Sequence, residues 1–294
     1  MPTPPGCGVA CGIMITAPEA TGKVGRLSVV AAPAGEQTVL RRMFSEGTLK
    51  AMRVHHLDPA LPSMAYLTIA SPGGGVLQGD RLEIDVSIEA GAQLNLGTTS
   101  ATRIYAMPQG QAEMKTCFDV ATGGYGEFVP DPFIPYAGSR FISQARHVVA
   151  EGGALLLAEV VGPGRQARGE SLAYDFFKSE TEVRRPDGRL LFRDTTCLFP
   201  ADDLSSLGLL ARWSASGALC AISDGLDASI FESTMARCAE LGLSAGCSDL
   251  PNGAGSWFRV MAADGPSAHE MVRSAWAAAR VRVLGVGPPV SRRY

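Results

Sequence analysis

The sequence has no strong excess of charge. Twenty-six Lys and Arg stand against 29 Asp and Glu, for a formal net charge of −3, and the basic residues fall singly or in pairs. A cationic patch or stripe is the footprint of a nucleic-acid or anionic-membrane binder, so neither partner is expected. Long hydrophobic runs are also missing. The most apolar stretch, Ala154 to Val161, falls far short of the roughly 20 residues needed to cross a bilayer. The start, Met1-Pro2-Thr3-Pro4-Pro5-Gly6, lacks the basic head and apolar core of a secretory signal. Residues 1–25 therefore read as an irregular lead-in, and the chain as cytoplasmic.

Histidine is scarce: His55, His56, His147 and His269 are the whole set, without the i, i+4 spacing of a helical metal site, and they read as surface or core filler. The seven cysteines, Cys7, Cys11, Cys117, Cys197, Cys220, Cys238 and Cys247, make an odd set without CxxC pairs, as fits free thiols in a reduced compartment. Cys7 and Cys11 form a CxxxC pair, but no nearby His or Cys completes four ligands. Nucleophile elbow, phosphate loop and dinucleotide fingerprint are all absent, so hydrolase, NTPase and dehydrogenase readings lack support.

What is present is strand pattern. Between Arg26 and Phe199, short alternating runs are cut by Gly, Pro, Asp and Asn, the signature of strands and turns. Arg81 to Ile88, Gln93 to Leu96 and Met114 to Val120 are clear cases. Thr181 to Arg185 and Arg189 to Phe192 flank Pro186-Asp187-Gly188, a hairpin turn. The segments EAGAQL, ATGGYGEF and AEGGALLL place similar small-residue turns before new strands. Such repetition suits stacked layers, a β-helix or solenoid in which each layer is covered by the next; a two-sheet sandwich also satisfies the pattern.

The last third changes character. Asp227 to Leu241 and Ser267 to Leu284 read as amphipathic helices, with Asp227 and Ser267 as N-caps and Glu270 in capping-box spacing. Ala218 to Ile222 and Ser256 to Met261 are strands. The expected division is a lead-in (1–25), a mainly β, solenoid-like body (26–215) and a small α+β portion with two helices packed on it (216–294).

Two features invite chemistry. Ser71-Pro72-Gly73-Gly74-Gly75-Val76-Leu77-Gln78-Gly79-Asp80 resembles a phosphate cradle, but it leads into a strand and lacks a following Lys. A tight structural turn is the favoured reading, with Asp80 accepting backbone hydrogen bonds. Glu159 interrupts an apolar strand, and a buried carboxylate needs a partner or a wet cavity. Either it pairs with Arg165 or Arg168, or it faces a water-filled passage.

These places also carry a resemblance. Pro72-Gly73-Gly74 with Gly79-Asp80-Arg81-Leu82, then Thr98-Thr99-Ser100-Ala101-Thr102-Arg103-Ile104-Tyr105, resemble motifs of the UreD (UreH) urease accessory family. So do Val129 to Arg140 and Gly164-Arg165-Gln166-Ala167-Arg168-Gly169-Glu170. The sequence departs from them at Gln78, Ala106-Met107 and Pro163. The resemblance implies a largely β-helical fold with two helices near the C-terminus. It also implies a non-catalytic nickel-insertion chaperone that binds apo-urease and UreF-like and UreG-like partners. No tightly bound cofactor is implied, only transient Ni²⁺ in an internal tunnel. By position, Asp80, Glu159 and Glu170 match its implicated carboxylates, and Thr98, Thr99 and Ser100 are candidate lining residues. Gly73, Gly74, Gly79, Arg165 and Arg168 belong to the structural motifs. Imidazole and thiolate clusters would trap the ion, whereas isolated carboxylates and hydroxyls pass it on.

The competing reading is a carbohydrate-active β-helix enzyme using Glu159 and Glu170, which needs both carboxyls on one groove roughly 5 to 10 Å apart. An aromatic content of 7% with three Trp argues against sugar subsites. A β-scaffold without metal traffic is a third reading.

Overall fold

Three tight turns set the repeat. In Glu89-Ala90-Gly91-Ala92, Ala121-Thr122-Gly123-Gly124 and Ala150-Glu151-Gly152-Gly153, the fourth N–H donates to the first carbonyl at 2.9 to 3.0 Å. The third residue has φ of +76°, +72° and +70°, a region glycine enters without steric cost. The turns stack directly: Gly91 N–H donates to Gly123 O and Gly123 N–H to Gly152 O, at 3.2 and 3.0 Å. The recurrence seen in sequence is therefore a physical ladder.

The computed structural model describes residues 22–202, 204 and 210–289. Cys7, Cys11 and most of the expected lead-in lie outside them. The elements are β1 Val24–Ala34, β2 Gln37–Glu46, β3 Lys50–Ala51, β4 Ala65–Ala70, β5 Arg81–Ile88, β6 Gln93–Thr98, β7 Thr102–Ile104, β8 Ala112–Val120 and β9 Tyr125–Phe128. There follow β10 Phe133–Pro135, β11 Arg140–Val149, β12 Ala154–Val161, β13 Phe176–Arg184, β14 Leu190–Leu198, β15 Ala215–Ile222, α1 Glu232–Glu240, β16 Ser244–Asp249, β17 Gly255–Ala262 and α2 Gly265–Leu284.

The chain coils between two sheets. One has the order β14-β13-β11-β8-β5-β1-β2, the other β16-β17-β15-β12-β9-β6-β4-β3. Within the coil the neighbours are parallel: β1, β5, β8, β11 and β13 on one side, β4, β6, β9 and β12 on the other. A short third side is made by Val76, β7, β10 and Val161. The described residues are thus mainly β, with solenoid-like stacked strands and two α-helices. Antiparallel β15, β17 and β16 continue the second sheet beyond β12.

Two cores follow. One fills the coil between the sheets, with Leu27, Ile84, Leu94, Phe118, Phe141 and Phe177. The other lies outside the second sheet, where Phe231, just ahead of α1, and Met271, Val272, Ala275 and Trp276 of α2 pack against Leu156 and Phe258. Strand β12 serves both, which is why ALLLAEVV reads as an unbroken apolar run.

The helical expectations need adjustment. Asp227 does cap, accepting from Ser229 N–H, but it opens a 3₁₀ turn, Ala228–Phe231, ahead of α1. Ala239 and Leu241 face solvent. Ser267 is not a cap: α2 starts earlier, with Asp264 accepting from Ser267 N–H and Pro266 in the first turn, where its missing donor costs nothing. Glu270 pairs with Arg237 of α1 at 2.6 Å. Strand β16 is missing from the sequence pattern because SAGCSD, an edge strand, has no buried face.

Candidate functional site

The coil interior turns polar at one end. By strand parity the inward residues of adjacent strands form rows: Met114, Ser143, Ser179 and Thr196 in one, Thr116, Ala145, Thr181 and Asp194 in the next. Small hydroxyl side chains here replace the aliphatic rungs found under β1 and β5, and they leave a cavity of about 60 Å³. Thr116, Ser143, His147, Thr181 and Asp194 line it from the first sheet; Glu159, Cys220 and Trp257 line it from the second. Such a volume exceeds what a water molecule needs. The Thr116 hydroxyl, 4% exposed, has no protein partner there.

Glu159 points into this chamber because it shares a face with Leu155, Leu157 and Val161. Its carboxylate accepts from Ser179 Oγ at 2.6 Å. The expected pairing with Arg165 or Arg168 does not occur, since both sit on the third side of the coil, beyond Val161; Glu159 takes the alternative, a polar cavity. Burial pushes its carboxyl up to about 7, helped by Asp194 and opposed by the Ser179 hydrogen bond and by Arg259. His147 is core, 3% exposed, and His55 and His56 are exposed. Phe118 N–H donates to His147 Nδ1 at 3.1 Å, in place of a strand carbonyl, so Nε2 carries the proton of the neutral ring. Burial depresses its pKa to about 3.

A second cavity, about 180 Å³, adjoins the first. The two share Met114, Phe128, Pro130 and Phe133 as a common wall. Thr98, Thr99, Ser100 and Arg103 line it opposite Ser71 and Gly74. Of the three hydroxyl residues singled out in sequence, Thr98 is half-buried, whereas Thr99 and Ser100 are exposed at the rim where this cavity meets the surface. Thr98 is partly engaged, accepting from Asp131 N–H at 2.8 Å.

The other two candidate carboxylates line neither cavity. Asp80, 3% exposed, accepts from Lys23 N–H and Leu77 N–H, each at 2.9 Å, the backbone-fixing role read for it in sequence. Glu170 is gripped by the Arg165 guanidinium, through Nε at 2.8 Å and also through Nη2, which holds its carboxyl below the usual range. Arg165 stacks 4.1 Å over Tyr136, whose ring meets Tyr105 edge-on at 5.1 Å. Tyr105 in turn packs on Gly75, where a Cβ would come within 2.5 Å of Arg103 O. One residue from each motif thus forms a rung on the coil's third side. Gly74 and Gly79 hold positive φ, whereas Gly73 does not. Arg168 is exposed in a 3₁₀ turn, Gln166–Arg168. Glu159 and Glu170 share no groove, so the carbohydrate-enzyme reading loses its acid/base pair.

One cluster escaped the sequence reading. Arg280 of α2 and Glu127 of β9 are both fully buried, joined at 3.1 Å, and Arg280 also meets Asp58 at 2.8 Å. Tyr125 and Asn95 donate to Glu127 at 2.5 Å each, and burial nonetheless raises the Glu127 carboxyl, against the pull of Arg280. The available signal was a lone Arg four residues after Trp276 on an apolar face. Among the described residues, no group of three or more His, Cys, Asp or Glu is placed to hold a metal ion, and no helix is long and apolar enough to cross a membrane.

Comparison with known proteins gives a consistent set of matches. A family model described as UreD urease accessory protein matches residues 23–294. Urease accessory protein UreD 2 of Streptomyces griseus is 34% identical over 281 residues, covering 93% of this chain and 94% of that protein. Urease accessory protein UreD of Cenarchaeum symbiosum is 32% identical over 276 residues, covering 93% and 97%. Urease accessory protein UreD 3 of Methylorubrum populi is 34% identical over 273 residues, covering 90% and 88%.

Proposed function

This chain belongs to the UreD urease accessory protein family, and from that premise we propose that it is a non-catalytic scaffold through which Ni²⁺ passes on its way into apo-urease. In this reading it works in complex with UreF-like and UreG-like partners. The ion is cargo, with no resident cofactor. The observation that carries the passage is a pair of adjoining cavities, an inner one facing Glu159 and Asp194 and an outer one lined by Thr98, with Thr99 and Ser100 at its exposed rim.

The chemistry suits transfer. Glu159 has a carboxyl tuned near neutrality, so an arriving cation displaces a proton that can return when the ion leaves. The two inward groups that could retain a borderline metal, His147 and Cys220, are kept from strong ligation. His147 Nδ1 is occupied by a backbone N–H, and burial holds the Cys220 thiol well above its usual pKa. Met114, Phe128, Pro130 and Phe133 separate the cavities, so passage requires side-chain rotation there, for which unbranched Met114 is suited.

The test is urease activation reconstituted with the partner proteins. Glu159→Ala is expected to assemble normally and to lower the nickel content of the product urease severalfold. Glu170→Ala, which unclamps Arg165, is expected to act through stability. Normal nickel loading by Glu159→Ala would remove this residue from the path. Failure of the folded chain to co-purify with those partners or apo-urease would sink the scaffold reading.

A further inference from the structure

Most of the chamber wall is hydrogen-bonded sheet, which cannot part without breaking ladder bonds. One side is different. Among the described residues, strand β14 pairs only with β13 and β17 belongs to the opposite sheet, so side chains close the seam between β14 and β17. Among the described residues, the following side-chain contacts cross it. Arg259 of β17 donates to Asp194 of β14 at 2.5 Å and reaches Thr196 Oγ1 at 3.4 Å. Beside them Trp257 packs on Phe192 with ring centroids 6.2 Å apart, and Arg259 lies 4.7 Å over the Trp257 ring. Asp194, Phe192 and Trp257 line the chamber. Asp194 and Arg259 are also each 28% exposed, so this group stands between the chamber and solvent.

We propose that the Arg259–Asp194 pair, backed by Trp257 on Phe192, is a latch closing a second mouth of the chamber at this seam, with Arg259 as the positioning residue. A partly exposed ion pair is weak, so the seam opens at little cost while the surrounding ladders stay closed. A divalent cation reaching the chamber competes with the guanidinium for Asp194, and success frees both the second carboxylate and the mouth. Use of the mouth by the cargo rests on the passage proposed above; the latch itself does not.

Cys220 reports on the seam, because it lines the chamber, is 4% exposed and lies opposite Trp257 in register. Cys238, 1% exposed in the helical core, is the internal control. The full chain is treated with iodoacetamide, and alkylation of each cysteine is followed by peptide mass spectrometry. Arg259→Gln is expected to speed Cys220 alkylation about fivefold, as suits loss of a weak surface pair, with Cys238 unchanged and with Arg259→Lys close to the native rate. Removing a cation makes a nearby thiolate harder to form, so acceleration reports opening. An unchanged Cys220 rate, or an equal rise at Cys238, overturns the latch. Altered labelling together with normal nickel loading by Glu159→Ala would support the latch and count against the passage. Unaltered labelling with impaired Glu159→Ala loading would do the reverse.

Discussion

Glu159 is the one candidate carboxylate whose surroundings are left open to a ligand, and its titration gives a direct check on that environment. Its folded pKa, about 7, lies above the ordinary value of 4.5. The folded state therefore holds the proton more tightly, and the stability this provides is present below pH 4.5 and lost as pH rises to about 7. Glu159→Gln cannot ionise. Its melting temperature should exceed that of the native chain at pH 8, with the difference shrinking by pH 5; a pH-independent difference would contradict the assignment. Arg280 offers a second check, because it neutralises Glu127 and Asp58 where water cannot. Arg280→Met should cost about 3 to 5 kcal/mol, the consequence of leaving buried carboxylates unpaired, measured by denaturant unfolding. At this scale the sequence exposed the odd residue but not its partners: Glu159 stands out in ALLLAEVV, whereas Ser179, Asp194 and Arg259 come from strands distant in the chain.

At the scale of the element, turns were the most legible feature because their chemistry is local. The hairpin at Pro186-Asp187-Gly188 forms as read, with Gly188 at φ +88° and Asp187 accepting from Arg189 N–H at 2.9 Å. Glycines of different kinds should differ in cost. Gly91 has positive φ and open space around it, so Gly91→Ala should lose about 1 kcal/mol of conformational energy. Gly75 meets Arg103 O at 2.5 Å and Tyr105 at 2.6 Å, so Gly75→Ala adds a steric clash and should exceed that loss clearly. Thermal unfolding of the pair decides it; equal costs would mean that the third-side stack is pliable. Strand β16 and the start of α2 were not legible, the former because both faces are wet, the latter because Asp264-Gly265-Pro266 looks like a loop until its helix is in place.

For the molecule as a whole, a coil of stacked strands leaves ends to be managed. The second sheet is extended by β15, β17 and β16, while the first ends on β2, where Val39, Met43 and Phe44 are 40 to 47% exposed around Arg41 and Arg42. Apolar side chains on an edge strand favour pairing between copies, so Met43→Glu should reduce self-association of the isolated chain in sedimentation velocity. No change would mean that the edge is already protected. The sequence by itself determined the mainly β character, the turn glycines and the two helices near the C-terminus, because alternation, turn residues and helical period act over a few residues. The tertiary structure decided that the strands stack as a coil rather than a sandwich, which carboxylate faces the interior, that Arg165 holds Glu170, and that Arg259 meets Asp194 across the seam. Those outcomes depend on strand parity and register between segments up to 65 residues apart, and no local pattern encodes them.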